Sequence, residues 1–183
     1  MKESTSTGMD VESVISKVKQ AILAAEIKRE NDQALQLESL DLTLKAFAET
    51  EVGGEIKIKI PVINLEIGMG GSLTQQETQT IEINLKPPEV LKEERVEAIT
   101  KEIDLKSSLA DAINIIRNGI KAAAAGEPEF VLDKATVELN FVVTEKGEIT
   151  VVAKGSLEIE TTNGLKLTLT RPKPKLVPRV RWI

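Results

Sequence analysis

A glycine-rich segment, Gly68-Met69-Gly70-Gly71-Ser72, could cradle an anion with its backbone N–H groups. A phosphate-binding loop follows a strand, opens a helix and ends in a Lys-Ser or Lys-Thr pair. This segment lacks that pair and leads into another predicted strand. We therefore predict a flexible hairpin loop, and we expect any role of Gly68, Met69, Gly70, Gly71 and Ser72 to be contact with a partner protein.

Ser16 and Lys19 have the Ser-x-x-Lys spacing of penicillin-binding enzymes. The Ser-Asp-Asn and Lys-Thr-Gly elements of that signature are missing, so we interpret the pair as part of a solvated helix face. Acidic residues are abundant, but a glycosidase needs two of them flanking a cleft, and small sheets offer little cleft. No acidic cluster has EF-hand spacing. The sequence thus predicts no catalytic, cofactor-binding or metal-binding residues, and we expect a non-enzymatic protein.

Composition supports this expectation, because the 183 residues include no Cys, His or Tyr. Disulfides, Cys/His zinc sites, His-based triads and Cys nucleophiles are therefore excluded. The net charge of −5 opposes nucleic-acid binding by the chain as a whole. The N-terminus has no signal-peptide pattern, and no apolar run approaches the ~20 residues that span a bilayer. We expect a cytoplasmic protein that binds neither nucleic acid nor membrane.

The segment 173–183 is basic and rich in proline, and it contains the single Trp of the chain. One interpretation is an extended docking segment whose candidate contact residues are Arg179, Arg181, Trp182 and Ile183. The other is a tail that folds back over a sheet edge or a groove of its own chain. The sequence leaves both open.

The preceding chain predicts an amphipathic helix followed by three strands. Asp10 is a candidate N-cap, and apolar residues from Val11 to Ala25 recur at helical spacing. Alternating leucines from Leu35 to Leu44 predict a strand with a bulge near Glu38-Ser39. A hairpin at Val52-Gly53-Gly54 leads into a strand that bends at Pro61, and a third strand runs over Ile81–Leu85.

The same order of elements repeats after a charged linker over 89–103, whose spacing of Leu91, Arg95, Ile99 and Ile103 is compatible with a connecting helix. Asp104 caps a second predicted helix, Phe130 and Leu132 begin a strand that reaches Val143, and Glu145–Glu148 is a tight hairpin. Asn163-Gly164 predicts another hairpin turn before Leu165–Leu169. We predict an α+β protein of two tandem units, each a helix followed by a three-stranded antiparallel meander. Their boundaries are 10–88 and 104–172, between a disordered tail over 1–9 and the basic tail over 173–183.

The first unit resembles the second type of trypsin-co-occurring domain of bacteria. The likeness lies in the helix, the hairpin Gly53–Lys59, the strand Val62–Ile67 and the segment Thr80–Pro87. The second unit keeps the order but loses the Gly/Ser loop, which makes it a divergent copy. The resemblance implies a non-enzymatic module that accompanies trypsin-like peptidases or other effectors in conflict or signalling systems, and it carries over no catalytic residues.

Two functions are compatible with these features. The first is an adaptor that binds a protein partner, such as a peptidase or effector encoded nearby, without a cofactor. The alternative is a self-assembling structural subunit, a homo-oligomer or filament built through exposed strand edges and the basic tail. The sequence leaves open whether the two predicted sheets merge.

Overall fold

Two helices and seven strands make up the part of the chain that the computed structural model describes, which is residues 8–25, 35–63, 78–87, 103–153 and 162–171. In chain order the elements are β1 (Gly8–Asp10), α1 (Val11–Ala24), β2 (Gln36–Thr50), β3 (Ile56–Ile63), β4 (Gln79–Leu85), α2 (Ile103–Ala124), β5 (Lys134–Thr144), β6 (Ile149–Val152) and β7 (Asn163–Thr170). The predicted α+β class is confirmed.

Both helices bury the apolar stripe that their spacing predicts. Val14 and Val18 of α1 are fully buried, and so are Leu105 and Leu109 of α2. Asp10 occupies the predicted N-cap of α1, but its side chain makes no capping hydrogen bond there. α1 therefore depends on burial of one face rather than on capping by Asp10.

Asp104 also differs from its predicted role as a cap. It lies within the first turn of α2, and its Oδ2 accepts a hydrogen bond from the Val151 N–H at 2.6 Å. This contact joins the start of α2 to β6, two elements 47 residues apart in sequence.

Replacing Asp104 with alanine should lower the free energy of unfolding by about 1–2 kcal/mol, because the carboxylate bond to Val151 is lost. Chemical denaturation of the variant measures this change. Asp111→Ala, on an exposed position of the same helix, is the control and should change stability by less than about 0.5 kcal/mol. Equal stability of the two variants would show that the Asp104 contact contributes nothing.

The strand order differs from the predicted meanders, in which the second strand of each unit would be central. Here the first strand is central: β2 pairs with both β3 and β4, and β5 pairs with both β6 and β7. Asn140 of β5, for example, lies between Val152 and Gly164. Period-two alternation predicts which face of a strand is buried but not which strand lies beside it.

The two halves share one seven-stranded, mostly antiparallel sheet, because β7 lies between β2 and β5. Leu167 is paired with Leu40 on one side and Val137 on the other. β3 adds a short parallel contact to β5, in which Val62 is opposite Val143. The two predicted sheets therefore merge, and the unit boundaries 10–88 and 104–172 stay predictions.

One apolar core lies between this sheet and the helices. It combines side chains from α1, α2 and strands of both halves, and α1 packs directly against α2. Its largest fully buried members are Phe141, Leu35, Leu42, Leu44, Ile60, Leu105, Leu109, Ile113, Ile149, Leu165, Leu167 and Leu169. Aliphatic side chains thus fill almost all of the interior, as the composition predicts.

Local predictions had mixed outcomes. The bulge is confirmed as a register shift between Leu37 and Ser39. Phe130 was wrongly predicted to begin a strand: β5 begins at Lys134, and the Phe130 side chain is 64% exposed. Asn163-Gly164 was wrongly predicted to be a turn, because both residues belong to β7. Of the predicted linker over 89–103, residues 89–102 lie outside the described residues, and Ile103 begins α2.

Candidate interaction surface

The β2–β3 hairpin is held by a tight turn. The Glu51 N–H donates to the Glu55 carbonyl at 2.8 Å, and the Gly54 N–H donates to the Glu51 carbonyl at 3.0 Å. Gly53 and Gly54 have φ of 110° and 84°, values that side chains with a Cβ rarely adopt. The glycine pair that predicted this hairpin is therefore required by its backbone geometry.

One face of the hairpin is apolar and open to solvent. Ile58 pairs with Ala48, and Ile56 pairs with Thr50, so these side chains share one face of the ladder. Ile56 is 66% exposed, Ile58 is 45% exposed, and Val52 in the turn is fully exposed. Ile60, two residues further along the same face, is completely buried. The core-facing side of the hairpin thus extends beyond the core.

The opposite face carries a ladder of compensated charges. The Lys59 Nζ lies 2.8 Å from the Glu49 Oε2 and 3.5 Å from the Glu51 Oε1, and the Lys57 Nζ lies 2.8 Å from the Glu51 Oε2. The hydrogen bond from Lys57 lowers the pKa of Glu51, and the same bond raises the pKa of Lys57. The hydrogen bond to Glu49 raises the pKa of Lys59. All these shifts favour the charged forms.

The two acids and two bases of these ion pairs cancel one another, so the ion-paired part of this face projects little net charge toward a partner. A carboxyl group with a lowered pKa, such as Glu51, is also a poor general acid at neutral pH. The charged face is therefore best explained as a cross-strand brace that stiffens the hairpin. The apolar face is the one available for contact.

β1 covers the inner end of the brace. Asp10 of β1 is opposite Lys59, and Gly8 is opposite Pro61. A Cβ on Gly8 would lie 2.8 Å from the Lys59 Cβ and 2.9 Å from the Phe47 Cζ, so only glycine permits this approach. The Lys59 residue is consequently 7% exposed despite its charge. β1 thus fixes the hairpin base and leaves its tip, around Val52 and Ile56, projecting.

The residues that the sequence proposed for partner contact cannot be compared with this surface. The loop Gly68, Met69, Gly70, Gly71 and Ser72 and the tail residues Arg179, Arg181, Trp182 and Ile183 all lie outside the described residues. Ile56 and Ile58 alternate with lysines, a pattern typical of a strand with one buried face, so sequence reasoning missed the hairpin surface. The available signal was the length of β2. Its alternation continues beyond the part of the sheet that the helices can cover.

A shallow groove on α1 is lined by Glu12, Ile15, Ser16, Lys19, Gln20 and Leu23 and holds a single acid. Ser16 and Lys19 are exposed on this helix face. Among residues with described positions, no group of three His, Cys, Asp or Glu could hold a metal ion. None of the described helices is long and apolar enough to cross a membrane.

Comparison with known proteins gives one informative match. Neither the curated proteins nor the solved structures include a match to this chain. The family model matches the part of the chain that contains α1, the β2–β3 hairpin and β4. Residues 9–87 are similar to the family Trypsin-co-occurring domain 2.

Proposed function

We propose that this chain is a non-enzymatic adaptor that binds a trypsin-like peptidase, or an effector in its place, within a bacterial conflict or signalling system. The observation that carries the proposal is the match of residues 9–87 to a family defined by co-occurrence with trypsin. The exposed apolar face of the hairpin lies within the matched segment and supports a protein partner. The net charge of −5 supports a partner other than nucleic acid.

The hairpin surface contains Ala48, Val52, Ile56 and Ile58 and is the binding surface in this proposal. Exposed aliphatic side chains on a rigid hairpin can bury apolar area without losing much conformational freedom. Within the described residues, no strand pairs with Ile56–Ile58 on the side opposite β2, so backbone groups are also available there. The partner surface is therefore apolar, with an extended segment able to lie along this edge.

We also propose that residues 104–172 are a divergent second copy of the first unit. In both halves a helix precedes three strands and the first strand is central. Both hairpins have the same pair of turn bonds: in the second, the Thr144 N–H donates to the Glu148 carbonyl and the Gly147 N–H donates to the Thr144 carbonyl. The second turn is polar where the first has Val52, so the copies divide their roles, and the first copy makes the contacts.

Replacing Ile56 and Ile58 together with aspartate should weaken partner binding by about 30-fold or more, since even one hot-spot residue contributes about 2 kcal/mol when truncated. The test is affinity capture from the native host with the wild type and the variant at equal levels, followed by mass spectrometry. We expect a peptidase of the trypsin fold to be recovered by the wild type and lost by the variant.

The control is Glu82→Ala with Asn84→Ala, two exposed changes on β4 of the same half, which should retain the peptidase. Circular dichroism of each variant shows whether the fold is kept. The proposal is wrong if no specific protein is recovered at native levels. Recovery of this chain alone, with an oligomer mass by light scattering, would instead favour the self-assembling subunit.

A further inference from the structure

The ladder between β5 and β7 stops at the pair Lys134–Thr170, although the chain continues on both sides. Residues 126–133 precede β5 and are largely exposed. Phe130 and Val131 are 64% and 63% exposed, an unusual state for two adjacent large apolar side chains. Arg171, the last described residue, follows Thr170 directly, so the described chain ends next to the end of the β5–β7 ladder.

Hydrogen-bond directions along β5 show which backbone groups of residues 129–133 are available. Successive N–H groups of a strand point to opposite edges. The Thr144 N–H bonds to Glu148 on the β6 edge, and the β5–β7 register has no shift from Phe141 to Lys134. The N–H groups of even-numbered residues in β5 and in its extension therefore point away from β7. The Phe130 N–H follows this rule, because it donates to the Ala123 carbonyl at the end of α2 at 2.9 Å.

By the same alternation, the N–H groups of Val131 and Asp133 point to the edge on which β7 lies. Extending the β5–β7 register places Arg171 opposite Asp133, Lys173 opposite Val131, and Lys175 opposite Glu129. The odd-numbered residues of the tail would supply the bonding N–H groups. Pro172 and Pro174 then fall on the non-bonding edge, where a missing N–H costs nothing.

The charges of the two segments are complementary in this register. The segment 126–133 contains Glu127, Glu129 and Asp133 and no basic residue, and the segment 172–183 contains four basic residues and no acidic one. Opposite charges directly across an antiparallel pair stabilise it, and two such pairs arise here. The alternating prolines would also block the outer edge against further strands, a common protection of edge strands.

We propose that residues 171–175 of the chain extend β7 alongside residues 129–133 of the same molecule. The exposed segment before β5 is then the docking site of the chain's own basic tail rather than of a foreign peptide. This contact is independent of the peptidase proposal, because it uses neither the hairpin surface nor the family match.

The test is hydrogen exchange, followed by NMR or by mass spectrometry with fragmentation, on full-length chains. Lys173→Pro with Lys175→Pro removes the bonding N–H groups of these two residues, and Lys173→Ala with Lys175→Ala removes the same charges but keeps those groups. We expect the Val131 and Asp133 amides to exchange at least ~10-fold faster in the proline variant than in the alanine variant, because losing two backbone hydrogen bonds weakens the pairing by about 1.4 kcal/mol or more, which corresponds to that factor. The Phe130 amide, bonded to α2, is the internal reference.

A second variant tests the charges. At low salt, Glu129→Lys with Asp133→Lys should release the tail. The release should shift the fluorescence emission of Trp182, the only Trp of the chain. Glu82→Lys with Asp111→Lys makes the same charge change at exposed positions elsewhere and should leave the emission unchanged. Equal exchange in the proline and alanine variants would overturn the proposal. So would protection that rises with protein concentration alongside a dimer mass, since the tail would then dock on a second copy.

Discussion

Replacing Phe141 with alanine is expected to lower the free energy of unfolding by about 3–5 kcal/mol, the largest effect of any single change considered for this protein. Phe141 is the only aromatic side chain among the largest fully buried ones, and it lies where β5 meets both β6 and β7. Its removal leaves a cavity that the surrounding aliphatic side chains cannot fill without moving. Urea denaturation followed by circular dichroism measures the loss.

The matched control is Phe130→Ala, which removes the same ring from an exposed position and should cost less than about 0.5 kcal/mol. Because one core contains side chains of both halves, the Phe141 variant should still unfold in a single transition. Amides of β2 should also exchange faster, although β2 belongs to the other half. Two separate transitions, or an unchanged β2, would show that the halves are energetically independent.

Replacing Asn163 with alanine should cost about 1–3 kcal/mol, because a partly buried backbone donor loses its acceptor. Asn163 is 1% exposed, and its Oδ1 accepts a hydrogen bond from the Lys45 N–H at 2.8 Å. The contact lies where the pairing of β2 with β7 ends at Thr43–Gly164, before the pairing of β2 with β3 begins at Phe47. The Asn163 side chain thus supplies the acceptor that a neighbouring strand would provide at this gap.

Chemical denaturation again provides the measurement for Asn163→Ala. Asn140→Ala is a suitable control, since Asn140 is half-buried on the neighbouring strand. Hydrogen exchange at the Lys45 amide gives a second readout and should rise in the Asn163 variant alone. Slow exchange at Lys45 in that variant would mean that the side-chain bond is not needed to close the gap.

The Asn163 contact shows where local reasoning failed. Asn-Gly is a strong turn signal because both residues tolerate positive φ, but the signal is local and says nothing about long-range partners. In the structure the Asn163 side chain instead bonds a residue 118 positions away. The prediction that Phe130 begins a strand failed for a similar reason. Its alternation with Leu132 resembles a strand, but no described strand lies beside it to complete a ladder.

The hairpin surface was not predicted for the same reason, because burial depends on distant parts of the chain. Ile56 and Ile58 have the alternation of buried strand residues, and their burial depends on whether a helix covers them. No local pattern records how far a helix extends over a sheet. The same alternation favours a solvent-facing position for the charged Lys57 and Lys59, yet Lys59 is nearly buried beneath β1 and paired with two carboxylates.

The sequence by itself determined the elements that depend on neighbouring residues. Both helices, the β2 bulge and the two glycine hairpins follow from apolar spacing and from backbone positions that require positive φ. Only the tertiary structure decided that β7 lies between β2 and β5 and that the hairpin extends beyond the core. The physical reason is that strand pairing joins residues distant in sequence through backbone groups that every residue carries, so side-chain patterns do not encode the partner.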